Sequence, residues 1–125
     1  MLTLICEDDP LIAQDMFDEL AGSGLAAIGP ARNWVEAVAA ADAHAPAIAV
    51  VDLTLDDGRS GLAVARELNR RGIAIIIYSG GLLSPEELAE IGHMFLRKPA
   101  PPGALVECIR AASRRFRTET PGPAD

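Results

Sequence analysis

Five polar side chains stand where short apolar runs stop. Glu7 and Asp8 follow the run Leu2–Cys6, Asp52 follows 47–51, Ser79 follows 73–78, and Lys98 closes the run that starts at His93. If a fold gathers them, three carboxylates meet and repel one another unless a cation offsets them. Hard oxygen ligands with room for water favour Mg2+ over zinc or copper. A hydroxyl and an ammonium opposite the acids would complete a phosphate site. An aspartate in such a place can act as nucleophile and form an acyl phosphate, with the cation orienting it and stabilising charge in the transferring group.

Each residue also has a plain structural reading. Acids after a strand often cap the next helix, a serine there is usually a turn residue, and a lysine is usually a solvated charge. Lys98, however, is the only lysine in a chain whose other basic residues are all arginine, and it stands at a strand end before Pro99. Charged groups gathered at one cleft are more often functional than not.

A parallel α/β sheet is the architecture that would gather them. The runs 2–6, 25–28, 47–51, 73–78 and 93–96 are solidly apolar, as expected of strands buried on both faces. Helical patterns alternate with them. Pro10 suits the first turn of a helix over 10–20, Asn33 caps one over Trp34–His44, and another covers 62–71. Ser84, with Glu87 as capping-box partner, opens a short segment, and a last amphipathic helix spans 102–116. Strands alternating with helices imply helices on both sides of one sheet. At this size the flavodoxin-like order 2-1-3-4-5 is the common solution, with ligands beyond the carboxyl ends of the strands. The expected organisation is one (βα)5 domain over 1–117 and a frayed tail over 118–125.

Composition agrees. A chain of 125 residues suits one domain. Half of it is hydrophobic but only 4% is aromatic, so the core must be built from Ala, Val, Ile and Leu. A formal net charge of -7 makes DNA and anionic lipid poor partners. Cys6 and Cys108 form no CxxC or Cys/His spacing, and both are expected to be small buried residues. Nothing resembles a signal peptide, and no apolar run is long enough to span a bilayer. The expected setting is cytosolic.

With these pieces in place the sequence resembles the response-regulator receiver domains of two-component systems. The matching segments are Leu4-Ile5-Cys6-Glu7-Asp8-Asp9-Pro10, Val50-Val51-Asp52-Leu53-Thr54-Leu55 with Asp57-Gly58 and Gly61 beyond, Ile77-Tyr78-Ser79-Gly80, and Phe95-Leu96-Arg97-Lys98-Pro99. The resemblance implies that Asp52 accepts a phosphoryl group and that Asp8 binds Mg2+ directly, Glu7 through water and Thr54 through its backbone carbonyl. It implies that Ser79 senses the phosphoryl group, Lys98 pairs with it, and Phe95 is the aromatic switch that turns inward when Ser79 moves. Gly80 leaves space for a phosphodonor or attacking water, and the Thr54 side chain sits where the family tunes lifetime.

A protein of this kind is a phosphoacceptor that promotes only its own phosphorylation and dephosphorylation. It implies a sensor histidine kinase or a histidine phosphotransfer protein as partner, output through protein–protein contacts, and a monomer or weak dimer. There are departures. Asp56 replaces the usual proline, and the stretch between Ser79 and Lys98 is short and holds Gly80-Gly81 and Gly92. The shortened stretch, the Asp57-Gly58-Arg59-Ser60-Gly61 loop and the Gly29-Pro30-Ala31 turn resemble a receiver subgroup that accompanies kinases of the HWE or a related class.

A stand-alone receiver could be a phosphate sink, a relay or an adaptor, and a degenerate receiver would act only as a protein-binding module. A phosphatase of the haloacid dehalogenase type needs a second acid two residues beyond the nucleophile, where this chain has Thr54, and a cap domain. A nucleotide- or flavin-binding domain needs a glycine-rich turn between strand and helix, whereas Gly22-Ser23-Gly24 lies between helix and strand.

Overall fold

The computed structural model describes residues 1–55, 60–80, 91 and 93–119. The apolar runs form five strands: β1 (Leu2–Cys6), β2 (Ala26–Ala31), β3 (Ile48–Val51), β4 (Ala74–Ser79) and β5 (His93–Arg97). All pair in parallel in the order β2-β1-β3-β4-β5, as the sequence led us to expect. Four helices are described: α1 (Pro10–Gly22), α2 (Trp34–His44), α3 (Ser60–Arg70) and α4 (Ala104–Glu119). The segment opened by Ser84 and the acidic loop around Asp56 and Asp57 lie outside the described residues.

The period-2 alternation of strand side chains divides the core in two. Leu4, Ala49, Val51, Ile75 and Ile77 face one way and pack with Ala37, Val64 and Leu68 of α2 and α3. Ile5, Ile48, Val50 and Ile76 face the other way and pack with Met16, Leu20, Leu105 and Ile109 of α1 and α4. Each such Leu or Ile contributes roughly 1.5–3 kcal/mol relative to exposure. The three layers that result are therefore held by aliphatic packing, as the low aromatic content requires.

Helix starts are set by side chains. The Asp9 carboxylate accepts from Leu11 N at 2.9 Å and Ile12 N at 3.3 Å, with Pro10 in the first turn. Asn33 accepts from Glu36 N at 2.9 Å, and Glu36 in turn accepts from Arg32 N at 2.8 Å. Glu19 on α1 accepts from Gly103 N at 2.8 Å and ties the start of α4 to α1.

Two boundaries and the burial of one cysteine depart most from the sequence reading. β2 does not close at Gly29-Pro30 but runs through it to Ala31, with a register shift opposite Leu4 and Cys6. Gly29 has φ +114, and a Cβ there would stand 2.6 Å from the Ile5 carbonyl oxygen, so only glycine fits. The last helix continues to Glu119, so Thr118 and Glu119 belong to it rather than to the tail. Cys6 is buried, but Cys108 is only half-buried. No described helix is long and apolar enough to cross a membrane.

Candidate functional site

Register brings the strand ends level. Cys6 pairs with Val51, Val51 with Ile77, and Ser79 with Arg97. The ladder then continues one residue past the strands: Glu7 N donates to Ala31 O at 3.0 Å, Asp52 N to Cys6 O at 3.0 Å, and Lys98 N to Ser79 O at 3.2 Å. Each of these three side chains is thus anchored by its own backbone bond. Parallel pairing sends them all off the same edge of the sheet.

There they meet. Lys98 Nζ donates to Glu7 Oε2 at 2.8 Å and to Asp52 Oδ2 at 2.9 Å. The other Asp52 oxygen, Oδ1, accepts from Thr54 N and from Thr54 Oγ1, both at 2.9 Å. Glu7 Oε1 accepts from Asp9 N at 3.2 Å. Carboxylate oxygens of Glu7, Asp8 and Asp52 lie within 4.8 Å of one another. Glu7, Asp52 and Ser79 are 1%, 3% and 2% exposed, whereas Lys98 keeps 18% of its side chain open. Phe95 stands on β5 and is 43% exposed.

Two buried carboxylates share one ammonium. Burial, together with the neighbouring Asp52, pushes the Glu7 carboxyl up to about 7 against the pull of Lys98. Burial also works against the Asp52 carboxylate, but hydrogen bonds from the Thr54 N–H, Lys98 and Glu7 outweigh it and hold Asp52 below its ordinary value. For Lys98, burial is outweighed by the bonds to Glu7 and Asp52, which keep it charged. The site therefore holds an ionised aspartate beside an ammonium, with the carboxyl groups of Glu7 and Asp8 close by. Their all-oxygen donor chemistry suits a hard divalent cation.

The backbone after Asp52 is pressed under the first turn of α3. A Cβ at Gly61 would stand within 2.6 Å of backbone atoms of Asp52 and Leu53. Gly61→Ala is expected to destabilise the fold by about 3 kcal/mol or more, because backbone rather than a flexible side chain must yield. Urea denaturation measures this, and a loss below about 0.5 kcal/mol would show that the turn relaxes freely.

All the residues singled out from the sequence except Phe95 lie at or beside this cluster, Ser79 through its pairing with Arg97 and its bond to Lys98. Asp9, adjacent to them, is instead the helix cap. Two features went unread. One is the double hold of Thr54 on Asp52. The other is Tyr78, the only tyrosine, whose ring centroid lies 5.1 Å from Lys98 Nζ. Its place one residue before Ser79 was the available signal.

A parallel five-stranded sheet with an acidic cluster, a buried hydroxyl and a lysine at its carboxyl edge defines a receiver-type signalling domain. Comparison with known proteins agrees: the model of the response regulator receiver domain matches residues 3–110, and the chain belongs to that family. It is 33% identical over 122 residues to the transcriptional regulatory protein PdtaR of Mycobacterium tuberculosis, covering 94% of this chain and 58% of that protein. It is 42% identical over 66 residues to the phyllosphere-induced regulator PhyR of Methylorubrum extorquens, covering 52% of this chain and 25% of that one. The chain thus spans about half the length of PdtaR and a quarter of PhyR.

Among solved structures, the signal receiver domain of a modulated diguanylate cyclase from Desulfovibrio desulfuricans superposes with a TM-score of 0.87 at 26% identity, covering 95% of this chain and 98% of that one. PhyR from Brucella abortus superposes with a TM-score of 0.72 at 27% identity, covering 94% of this chain and 51% of that one.

Proposed function

We propose that this receiver takes a phosphoryl group on Asp52 from a phosphohistidine, carried by a sensor histidine kinase (the HWE class is the candidate) or by a histidine phosphotransfer protein, and signals through protein contacts. The observation that carries the reading is the Lys98 ammonium bonded to both Glu7 and Asp52, with Asp8 beside them.

The chemistry follows from which atoms are engaged. Thr54 holds Asp52 Oδ1 through two hydrogen bonds, which leaves Oδ2, facing Lys98, as the attacking oxygen. A P–O bond forms to Oδ2 as the P–N bond of the phosphohistidine breaks. The imidazole keeps the bonding electron pair. Lys98 exchanges its carboxylate partners for a phosphoryl oxygen, which costs no new burial because the ammonium is already in place. The Ser79 hydroxyl takes a second phosphoryl oxygen, and Phe95 turns inward from its exposed position as Ser79 moves. Gly80, where even a Cβ would find only ordinary contact at 3.5 Å with Lys98, leaves the approach open.

The side chains of Glu7, Asp8 and Asp52 and the backbone carbonyl of Thr54 would hold Mg2+, which supplies charge neutralisation for the carboxylates and the transferring group.

Incubation with phosphoramidate, whose P–N bond imitates phosphohistidine, tests the reading: a phosphoprotein signal that is stable to acid and lost in mild base is expected. Its absence from a folded protein that binds Mg2+ would favour a binding-only module.

Metal binding has its own expected outcome. Mg2+ at about 100 times its dissociation constant should stabilise the fold by about 2.7 kcal/mol, seen as a raised melting temperature. Glu7→Gln should weaken Mg2+ binding at least tenfold while changing the metal-free stability little, because the amide oxygen can still accept from Lys98 and the repulsion with Asp52 is removed, which offsets the bond from Asp9 N that the amide NH2 cannot accept. A metal-free loss of more than about 1 kcal/mol would contradict this assignment of Glu7.

A further inference from the structure

We infer that Tyr78 is a positioning residue for Lys98: its ring holds the ammonium over Asp52 by a cation–π contact when the carboxylates are engaged elsewhere. The inference rests on the phosphoacceptor reading above and adds a residue to it.

Three observations carry it. The Tyr78 ring centroid lies 5.1 Å from Lys98 Nζ, inside the range at which a ring face attracts a cation. Strand alternation directs Tyr78 to the α1 and α4 side of the sheet, with Ile76, while its neighbour Ser79 follows the opposite face. Tyr78 also lines a cavity of about 320 Å³ with Lys98, Pro99, Pro101, Met16 and Leu105. On that side Lys98 borders open space, and the ring is the aromatic surface beside it.

The physical argument concerns what remains when charge is redistributed. In the metal-free site two carboxylates fix the ammonium. With a divalent cation held by Glu7, Asp8 and Asp52, those carboxylates would be engaged by the metal and Lys98 would lose their attraction. A lysine on four methylenes would then swing toward water, losing rotamer order that has to be regained for each transfer. The attraction to a ring face does not depend on the carboxylates. Tyr78 therefore keeps Nζ beside Asp52 Oδ2 in both conditions, and Lys98 meets the phosphoryl group without a search. The tyrosine hydroxyl has no part in this, so phenylalanine should serve as well.

The test compares wild type, Tyr78→Phe and Tyr78→Leu. The rate of phosphorylation is followed by intact mass against acetyl phosphate concentration at saturating Mg2+, with Mg2+ affinity measured separately. Tyr78→Leu is expected to lower the maximal rate by roughly threefold to thirtyfold, with Mg2+ affinity and melting temperature near wild type. Tyr78→Phe should stay within about twofold of wild type. Equal rates in wild type and Tyr78→Leu would overturn the inference. So would a Tyr78→Phe variant as slow as Tyr78→Leu, or a parallel loss of Mg2+ affinity in Tyr78→Leu, which marks general damage.

A second measurement needs no phosphorylation. Because Lys98 is the only lysine, carbon-13 labelling of lysine gives a single Cε signal. Its attached protons should be shifted upfield by the ring in wild type but not in Tyr78→Leu, and the shift should persist when Mg2+ is added. Loss of the shift on adding Mg2+ would overturn the inference even if the protein phosphorylates. If wild type gains no phosphoryl group yet keeps the shift, the phosphoacceptor reading fails and the contact stands.

Discussion

Asp52→Asn should remain folded and yet gain no phosphoryl mass from any donor. Asparagine keeps the shape of the side chain, and its carbonyl oxygen can still accept from Thr54 N and Thr54 Oγ1 at the place where Oδ1 accepts now. What it lacks is the nucleophile: an amide does not attack phosphorus, so the expected loss is complete rather than partial. The NH2 cannot accept from Lys98 as Oδ2 does, but Lys98 keeps Glu7 as partner and the repulsion between the two carboxylates is relieved, so metal-free stability should change by no more than about 1 kcal/mol. Intact mass and thermal melting on one sample check both halves. Equal adducts on the variant and wild type would move the acceptor to another residue.

Lys98→Ala should split two properties that the other variants lose together. In the metal-free protein the ammonium is bonded to the Glu7 and Asp52 carboxylates, the side chains that would also hold a divalent cation. Deleting it removes a competing positive charge and leaves the carboxylates mutually repelled, so Mg2+ should bind as tightly as in wild type or more tightly. Phosphotransfer should nevertheless slow by about a hundredfold to a thousandfold, the loss expected when one positioned donor to a developing anion is removed. Calorimetric titration with Mg2+ and a phosphorylation time course separate the two effects. Weaker Mg2+ binding in Lys98→Ala would mean that the lysine organises the acids rather than competing for them.

These expectations rest on a site that was largely legible before any coordinates. The reason is topological. Strands buried on both faces read as unbroken apolar runs, such as Ile48–Val51, and the residue that ends each run must sit at the sheet edge. Parallel pairing then puts all those ends on one side, so finding Glu7, Asp52, Ser79 and Lys98 in order was nearly equivalent to finding where they gather.

What stayed illegible depends on side-chain direction and backbone approach. Asp8 and Asp9 are the same residue type at consecutive positions, yet one joins the acidic cluster and the other caps α1. Only the turn geometry after Glu7 decides which. The extension of β2 through Gly29 and Pro30 depends on the nearness of the Ile5 carbonyl, a contact between segments far apart in sequence. Tyr78 reads as one more apolar strand residue until the reach of Lys98 across the strand ends is known.

The most direct test of the central claim is to locate the phosphate chemically. Wild-type protein is incubated with acetyl phosphate with and without Mg2+, its intact mass is recorded, and the acyl phosphate is reduced with borohydride before peptide mapping. The account predicts a single Mg2+-dependent adduct and one reduced residue, at Asp52. Modification at Asp8, Glu7 or any other acid, or an adduct of equal size without Mg2+, would contradict it.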